Sequence, residues 1–157
     1  MFNTYTAIKN IGGLENEDDY PYEGESEQCH FNKSEVQVTV AGGVNITSNE
    51  TQMAQWLVKN GPHLHRHQRQ CNAGFEGTSL VMIACVCSQF YFGGVSHPWS
   101  FLCDPESLDH GVLIVGYGVH TYPMFHKTLP FWVIKNSWGP SWGEQGYYRV
   151  YRGDGTC

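Results

Sequence analysis

Basic residues are scarce in this chain: Lys and Arg number 9 against 15 Asp and Glu, a formal net charge of -6. A nucleic-acid binder needs a basic face to neutralise phosphates, so this balance argues against that class. No apolar run reaches the roughly 20 residues of a membrane-spanning helix. The opening residues, MFNTYTAIKN, lack the charged-then-apolar order of a signal peptide. Internal repeats and low-complexity linkers are also missing. What is present is apolar material: 41% of the 157 residues are hydrophobic and 14% aromatic, enough for one domain or two small lobes. Six cysteines fit an oxidising compartment better than a cytosol. Three Asn-x-Ser/Thr acceptors, at Asn32, Asn45 and Asn49, point the same way. A secretory chain that opens without a leader is expected to have lost its beginning.

Phe2, Tyr5, Ile8 and Ile11 recur at helical spacing until Gly12-Gly13. Residues 15–34 are acidic and turn-rich. Val36, Val38 and Val40 alternate with polar residues, the pattern of a half-buried strand. Residues 49–60 predict a helix with an apolar stripe of Met53, Trp56 and Leu57. Asn49 stands at its cap, Gln52 at the capping-box position and Gly61-Pro62 at its end. Beyond residue 109 the chain reads as strands: HGVLIVGYG (110–118), PFWVIKNSWG (130–139) and GYYRVYRG (146–153). Short strands with glycine punctuation suggest a small antiparallel barrel or sandwich.

His110 stands at the mouth of an apolar strand, where a histidine on its own is more often structural than functional. The segment WVIKNSWGPSWGEQGYY changes the balance. The carboxamide of Asn136 can accept a hydrogen bond from one imidazole N–H, which fixes the tautomer and aims the other nitrogen at a nucleophile. The indole of Trp138 can shield such a pair from water. The alternative is an aromatic-rich core with a satisfied asparagine.

GGLENEDDYPYEG, QFYFGGVSHP, LDHGVLIVGYG and PFWVIKNSWGPSWGEQGYYRVYRGDGTC together resemble the later part of papain-like cysteine proteases of the cathepsin F and cathepsin L group. The resemblance covers residues 13–62 and 89–157. It implies an α+β fold: a remnant of the helical lobe over 1–42, then an antiparallel β-barrel lobe over 43–157. It makes His110 the catalytic base and Asn136 the residue that orients it. Trp138 would cover the bond between them, and Leu108 and Gly111 would flank the pocket for the residue before the scissile bond. Cys103 and Cys157 match a disulfide pair, and Cys29 a half-cystine whose partner lies upstream. The implied reaction is acyl transfer through a thioester, with no cofactor and no metal. The implied partners are protein or peptide substrates and cystatin-type inhibitors. The implied location of the parent protein is lysosomal or extracellular. The family's nucleophile lies in a Cys-Gly-Ser-Cys-Trp-like segment that nothing in this sequence matches. A fragment inactive by itself is therefore expected. The competing readings are a non-enzymatic papain-like binding or decoy protein and the unstable product of a mis-spliced gene.

The stretch GPHLHRHQRQCNAG (61–74) stands apart. Alternating His63, His65 and His67, with Cys71, Cys85 and Cys87 beyond, invite a metal-site reading, but the spacing matches no common zinc pattern. The resemblance offers another account. Relatives run approximately Pro-Ile-Ser-Ile-Gly-Ile-Asn-Ala-Asn-Ala-Met-Gln here, a core strand. Plausible codons for that strand, read from the third base, translate as residues 63–73. Residues 74–89 then read as translated intron, so that 63–89 is an aberrant insert. Burying His and Arg in place of an apolar strand costs several kcal/mol each unless they are neutralised or paired. The segment is therefore expected to loop out, or the barrel to fail.

Overall fold

Asn49 begins the clearest element of the chain. Its side chain accepts the backbone N–H of Gln52, 3.1 Å away, and caps the helix that spans Glu50–Asn60. The computed structural model describes residues 2–67, 91–97 and 110–153, which fall into two compact units, Met1–Ile46 and Thr47–Cys157.

In the first unit helix α1 spans Phe2–Ile11, and the N–H groups of Gly12 and Gly13 both donate to the Ile8 carbonyl to close it. Gly13 has φ +143, and a Cβ there would lie 2.4 Å from the Val38 carbonyl oxygen, so only glycine lets the two segments meet. The meeting is a single antiparallel bridge between Leu14 and Val38. The strand expected from Val36, Val38 and Val40 is thus reduced to one bridge, and Val38 is exposed. The alternation was real but no neighbouring strand of this unit pairs with it, and a lone strand has nothing to satisfy its backbone. A short 3-10 turn at Lys33–Glu35 is capped by Asn32, which accepts the N–H and the hydroxyl of Ser34.

In the second unit helix α2 (Glu50–Asn60) buries Met53, Ala54 and Leu57 and ends at Gly61, whose N–H returns to the Leu57 carbonyl. Trp56, expected on the apolar stripe, is only half-buried, and Ala54 takes the buried place. Five strands follow: β1 (His63–His67), β2 (Val95–Ser96), β3 (His110–Tyr122), β4 (Lys127–Lys135) and β5 (Tyr147–Tyr151). They form one sheet in the order β1-β3-β4-β5-β2. All pairings are antiparallel except β2 with β5, which is parallel, so the expected all-antiparallel arrangement becomes a mixed sheet.

The register puts Ile114, Ile134 and Tyr148 in one row across β3, β4 and β5, with Trp132 and Val150 in the next. These five are buried together with Val112 and make the core face of the sheet. Glu50 of α2 accepts the Trp132 indole N–H at 3.0 Å, tying the helix to that face. The register between β3 and β4 shifts between Ile114 and Gly116, a bulge that turns the long strand.

The expectation that residues 63–73 loop out fails for its first part. Residues 63–67 form β1, and every one pairs with β3, from His63 with Ile114 to His67 with His110. Backbone ladder bonds do not depend on the side chains, and an imidazole can enter an apolar face by shedding its proton. His63 does so at a cost: both ring nitrogens are buried without a hydrogen-bond partner, and burial lowers its pKa. On the alternate register position Leu64 is 44% exposed. Residues 68–90, with Cys71, Cys85, Cys87 and the remainder of the proposed insert, lie outside the described residues, as do residues 98–109 and 154–157.

Candidate functional site

β3 begins at His110 and β4 ends at Lys135, and their antiparallel pairing starts with Leu113 opposite Lys135. The first residue of one strand and the first residue after the other therefore meet at the same end of the ladder. Asn136 is fixed there by its backbone N–H, which donates to the Gly146 carbonyl at 3.0 Å. The turn between them needs glycine: Gly139 and Gly146 have φ +82 and +87.

His110 Nε2 and Asn136 Oδ1 lie 2.8 Å apart. The same oxygen accepts the backbone N–H of Ser137, also at 2.8 Å. Since that atom is thereby marked as the carbonyl oxygen, the imidazole must be the donor. Nε2 therefore carries a proton, and in the neutral form of the ring the lone pair is on Nδ1. The Trp138 indole stacks on the imidazole with centroids 5.1 Å apart and planes 25° from parallel. Trp142 meets Trp138 edge-on at 5.0 Å, and Tyr91 and Tyr148 continue the aromatic cluster behind it. His110, Asn136 and Trp138 are all half-buried. With Nε2 committed to Asn136 and one face covered by the indole, Nδ1 is the ring nitrogen left to take a proton, which is what proton abstraction from a thiol or hydroxyl requires.

A second network holds the loop that carries Trp138 and Trp142. Glu144 and Arg149 form a two-pronged ion pair: Arg149 donates from Nε to Oε2 at 2.7 Å and from Nη2 to Oε1 at 2.6 Å. Glu144 Oε1 also accepts the Gly94 N–H, and the Tyr91 hydroxyl donates to the Gly94 carbonyl while accepting the Arg149 N–H. The Arg149 guanidinium holds the Glu144 carboxyl below its ordinary range, and burial pushes the Tyr91 phenol up. Sequence reasoning missed this network. Its one legible trace was an acid and a base five positions apart, Glu144 and Arg149, a pairing that only the turn brings together.

Gly111 lies next to His110 at the start of β3 and is exposed, on the rung of Arg66. Leu108, Cys103 and Cys157 lie outside the described residues. Cys29 is exposed and unbonded. The three acceptor asparagines, Asn32, Asn45 and Asn49, are exposed, two of them using the side-chain oxygen to cap a helical turn. Among the described residues no helix is long and apolar enough to cross a membrane, and no group of three His, Cys, Asp or Glu is placed to hold a metal ion.

Comparison with known proteins bears on this geometry. Residues 1–157 match the papain family cysteine protease profile. The chain is 56% identical over 158 residues to cathepsin F of Drosophila melanogaster, covering all of this chain and 23% of that protein. It is 42% identical over 155 residues to cathepsin F of Mus musculus, covering 99% of this chain and 29% of the relative. Among solved structures it superposes with TM-score 0.72 and 31% identity on digestive procathepsin L 3 from the larval midgut of Tenebrio molitor, covering all of this chain and 44% of that one. The chain thus spans only 23% and 29% of the two cathepsin F relatives.

Proposed function

The chain belongs to the papain family of cysteine proteases, and from that premise we propose that it carries the base-and-orienter half of a cathepsin F-like endopeptidase site. His110 is the general base, Asn136 its orienter and Trp138 its cover. The observation that carries this reading is the Nε2–H to Asn136 Oδ1 bond beneath the Trp138 indole, which leaves Nδ1 available.

In the reaction, Nδ1 takes the proton of a cysteine thiol. The thiolate attacks the peptide carbonyl, and the imidazolium returns the proton to the leaving amine. A water molecule, deprotonated by the same nitrogen, then cleaves the thioester. The thiol belongs to a segment of the kind that makes the relatives longer than this chain. None of the six cysteines here serves, so the chain alone does not hydrolyse peptides. Leu108 and Gly111 flank the substrate pocket, protein substrates and cystatin-type inhibitors compete for it, and the parent protein works in a lysosomal or extracellular setting. The cysteine content and the exposed acceptor asparagines support that location.

Incubation of the purified chain with a fluorogenic peptide and a thiol-directed epoxide tests the assignment. Neither turnover nor labelling is expected. Turnover accompanied by epoxide labelling of one of its cysteines would show that the nucleophile lies within these residues. In a protein that also contains the thiol segment, His110→Ala lowers kcat/KM by about 10²–10⁴-fold.

A further inference from the structure

The indole N–H of Trp142 is buried and has no hydrogen-bond partner among the described residues. A donor removed from water and left unpaired costs free energy, so the ring gains by turning its edge outward. Packing opposes that turn: Trp138 meets the ring edge-on at 5.0 Å, Tyr91 at 5.9 Å and Tyr148 at 6.1 Å. The backbone beneath the ring is pinned two residues on. Gly146 donates its N–H to the Trp142 carbonyl at 2.7 Å, and Glu144 and Tyr147 exchange backbone bonds at 2.9 and 3.1 Å. The Glu144 carboxylate then ties this turn to two other segments. Its oxygens take the fork of Arg149 on β5, and Oε1 also takes the Gly94 N–H at 2.9 Å, 50 positions away in sequence. The approach is close, since a Cβ at Gly93 would stand 3.3 Å from Oε1. The same segment brings Tyr91, whose hydroxyl donates to the Gly94 carbonyl and accepts the Arg149 N–H.

We propose that Glu144 is a positioning residue for the base: its clasp on Arg149 and Gly94 holds Trp142 and Tyr91 behind Trp138, and so holds the indole cover over the His110–Asn136 bond. The proposal rests on the reading of His110 as that base. The path is short. Trp142 abuts Trp138, and Trp138 stacks on the imidazole at 5.1 Å. Asn136 hangs from the same turn, since its N–H donates to the Gly146 carbonyl at 3.0 Å. Without the clasp, the unpaired indole N–H of Trp142 draws the ring toward water. Trp138 then loses its edge-on neighbour, and water reaches the Nε2–H to Oδ1 bond. A hydrogen bond open to water holds its donor less firmly than a shielded one, so the imidazole turns more freely.

Solvent-exchange rates measured by saturation transfer in the whole chain test this. The His110 Nε2–H reports the cover, and the Gly94 N–H reports the clasp. In Glu144→Gln an amide faces the guanidinium fork and can no longer take both prongs. Exchange of the His110 Nε2–H is then expected to rise about tenfold or more, under conditions where the amide spectrum shows β3–β5 folded. Arg149→Lys keeps the charge but not the fork, and is expected to fall between. A pair that only stabilises the fold lowers Tm and leaves this exchange unchanged in the folded chain, and that result overturns the proposal. The unsubstituted chain gives a check that needs no variant. In urea below the unfolding transition, both protons are expected to share one denaturant dependence, because one opening exposes both. Different slopes overturn the proposal even if the variants misfold. A neutral ring found to carry its proton on Nδ1 removes the base reading itself and this proposal with it, so the two failures are distinct.

Discussion

The shared oxygen of Asn136 fixes the chemistry of His110. Two donors converge on Oδ1, one from the imidazole and one from the Ser137 backbone, both at 2.8 Å. Ser137 holds the carboxamide in place whether or not the histidine is there, so the orienter is set by its own turn. Long-range ¹H–¹⁵N spectra should show His110 as the Nε2–H tautomer in the neutral form. Asn136→Ala removes the acceptor and should return the ring toward a mixture of tautomers while leaving the sheet's amide spectrum in place. An unchanged tautomer in that variant would mean that Asn136 does not orient the ring. In an assembled enzyme the same substitution should lower kcat more than it raises KM, because it disturbs proton transfer and not substrate contact.

At the scale of elements, the loop from Gly139 to Gly146 is what connects the base to the second network. Gly143 has φ +57, and a Cβ there would lie 2.6 Å from the Tyr147 carbonyl oxygen and 3.0 Å from the Tyr91 ring. Gly143→Ala therefore strains the backbone and pushes Tyr91 from its place beside Glu144 and Arg149. We expect a loss of about 1–3 kcal/mol in chemical denaturation. A variant as stable as the parent would show that the loop relaxes freely. The elements themselves were largely legible in the sequence. α2 follows from the Asn49 cap, the stripe of Met53 and Leu57 and the stop at Gly61, all local signals. β3, β4 and β5 follow from apolar runs cut by glycine. What could not be read was pairing. Val38 had the alternation of a strand and received one bridge. HLHRH had a polar pattern and was nevertheless taken into the sheet, because the ladder depends on the backbone. The candidate site was legible in outline, since a carboxamide and an indole after an apolar strand suggested partners for His110, but it took the resemblance to join His110, Asn136 and Trp138, spread over 29 positions that no spacing rule links. The Glu144–Arg149 pair lay inside a quoted segment, yet only the turn at Gly146 brings the two charges together.

For the molecule as a whole, two groups make stability depend on pH in the same direction. Glu144 has its pKa lowered from an ordinary 4.5, chiefly by the Arg149 hydrogen bonds. Its contribution is present above that value and fades as pH falls through the depressed one. The pair is partly exposed, at 32% and 21% for its two side chains, so solvent screening keeps the contribution modest. His63 has its pKa lowered from 6.5 by burial. Its neutral form is the one that fits the fold, so stability is intact above 6.5 and declines as pH falls from there toward the lowered value. Acid thus weakens the chain in two windows, the first belonging to β1 and the second to the loop after β4. The first window follows from a histidine standing at His63, opposite Ile114, where the core face would otherwise take an aliphatic side chain. His63→Ile replaces two unsatisfied buried nitrogens with a side chain suited to its neighbour Ile114. It should stabilise the fold by about 1–2 kcal/mol at neutral pH, and by more at pH 5.5. In melting curves from pH 7.5 to 4, the unsubstituted chain should lose Tm steadily below 6.5. The His63→Ile variant should hold level until the Glu144 window opens below 4.5. Parallel curves for the two proteins would show that His63 is not the group that titrates, and that its burial does not govern the acid response.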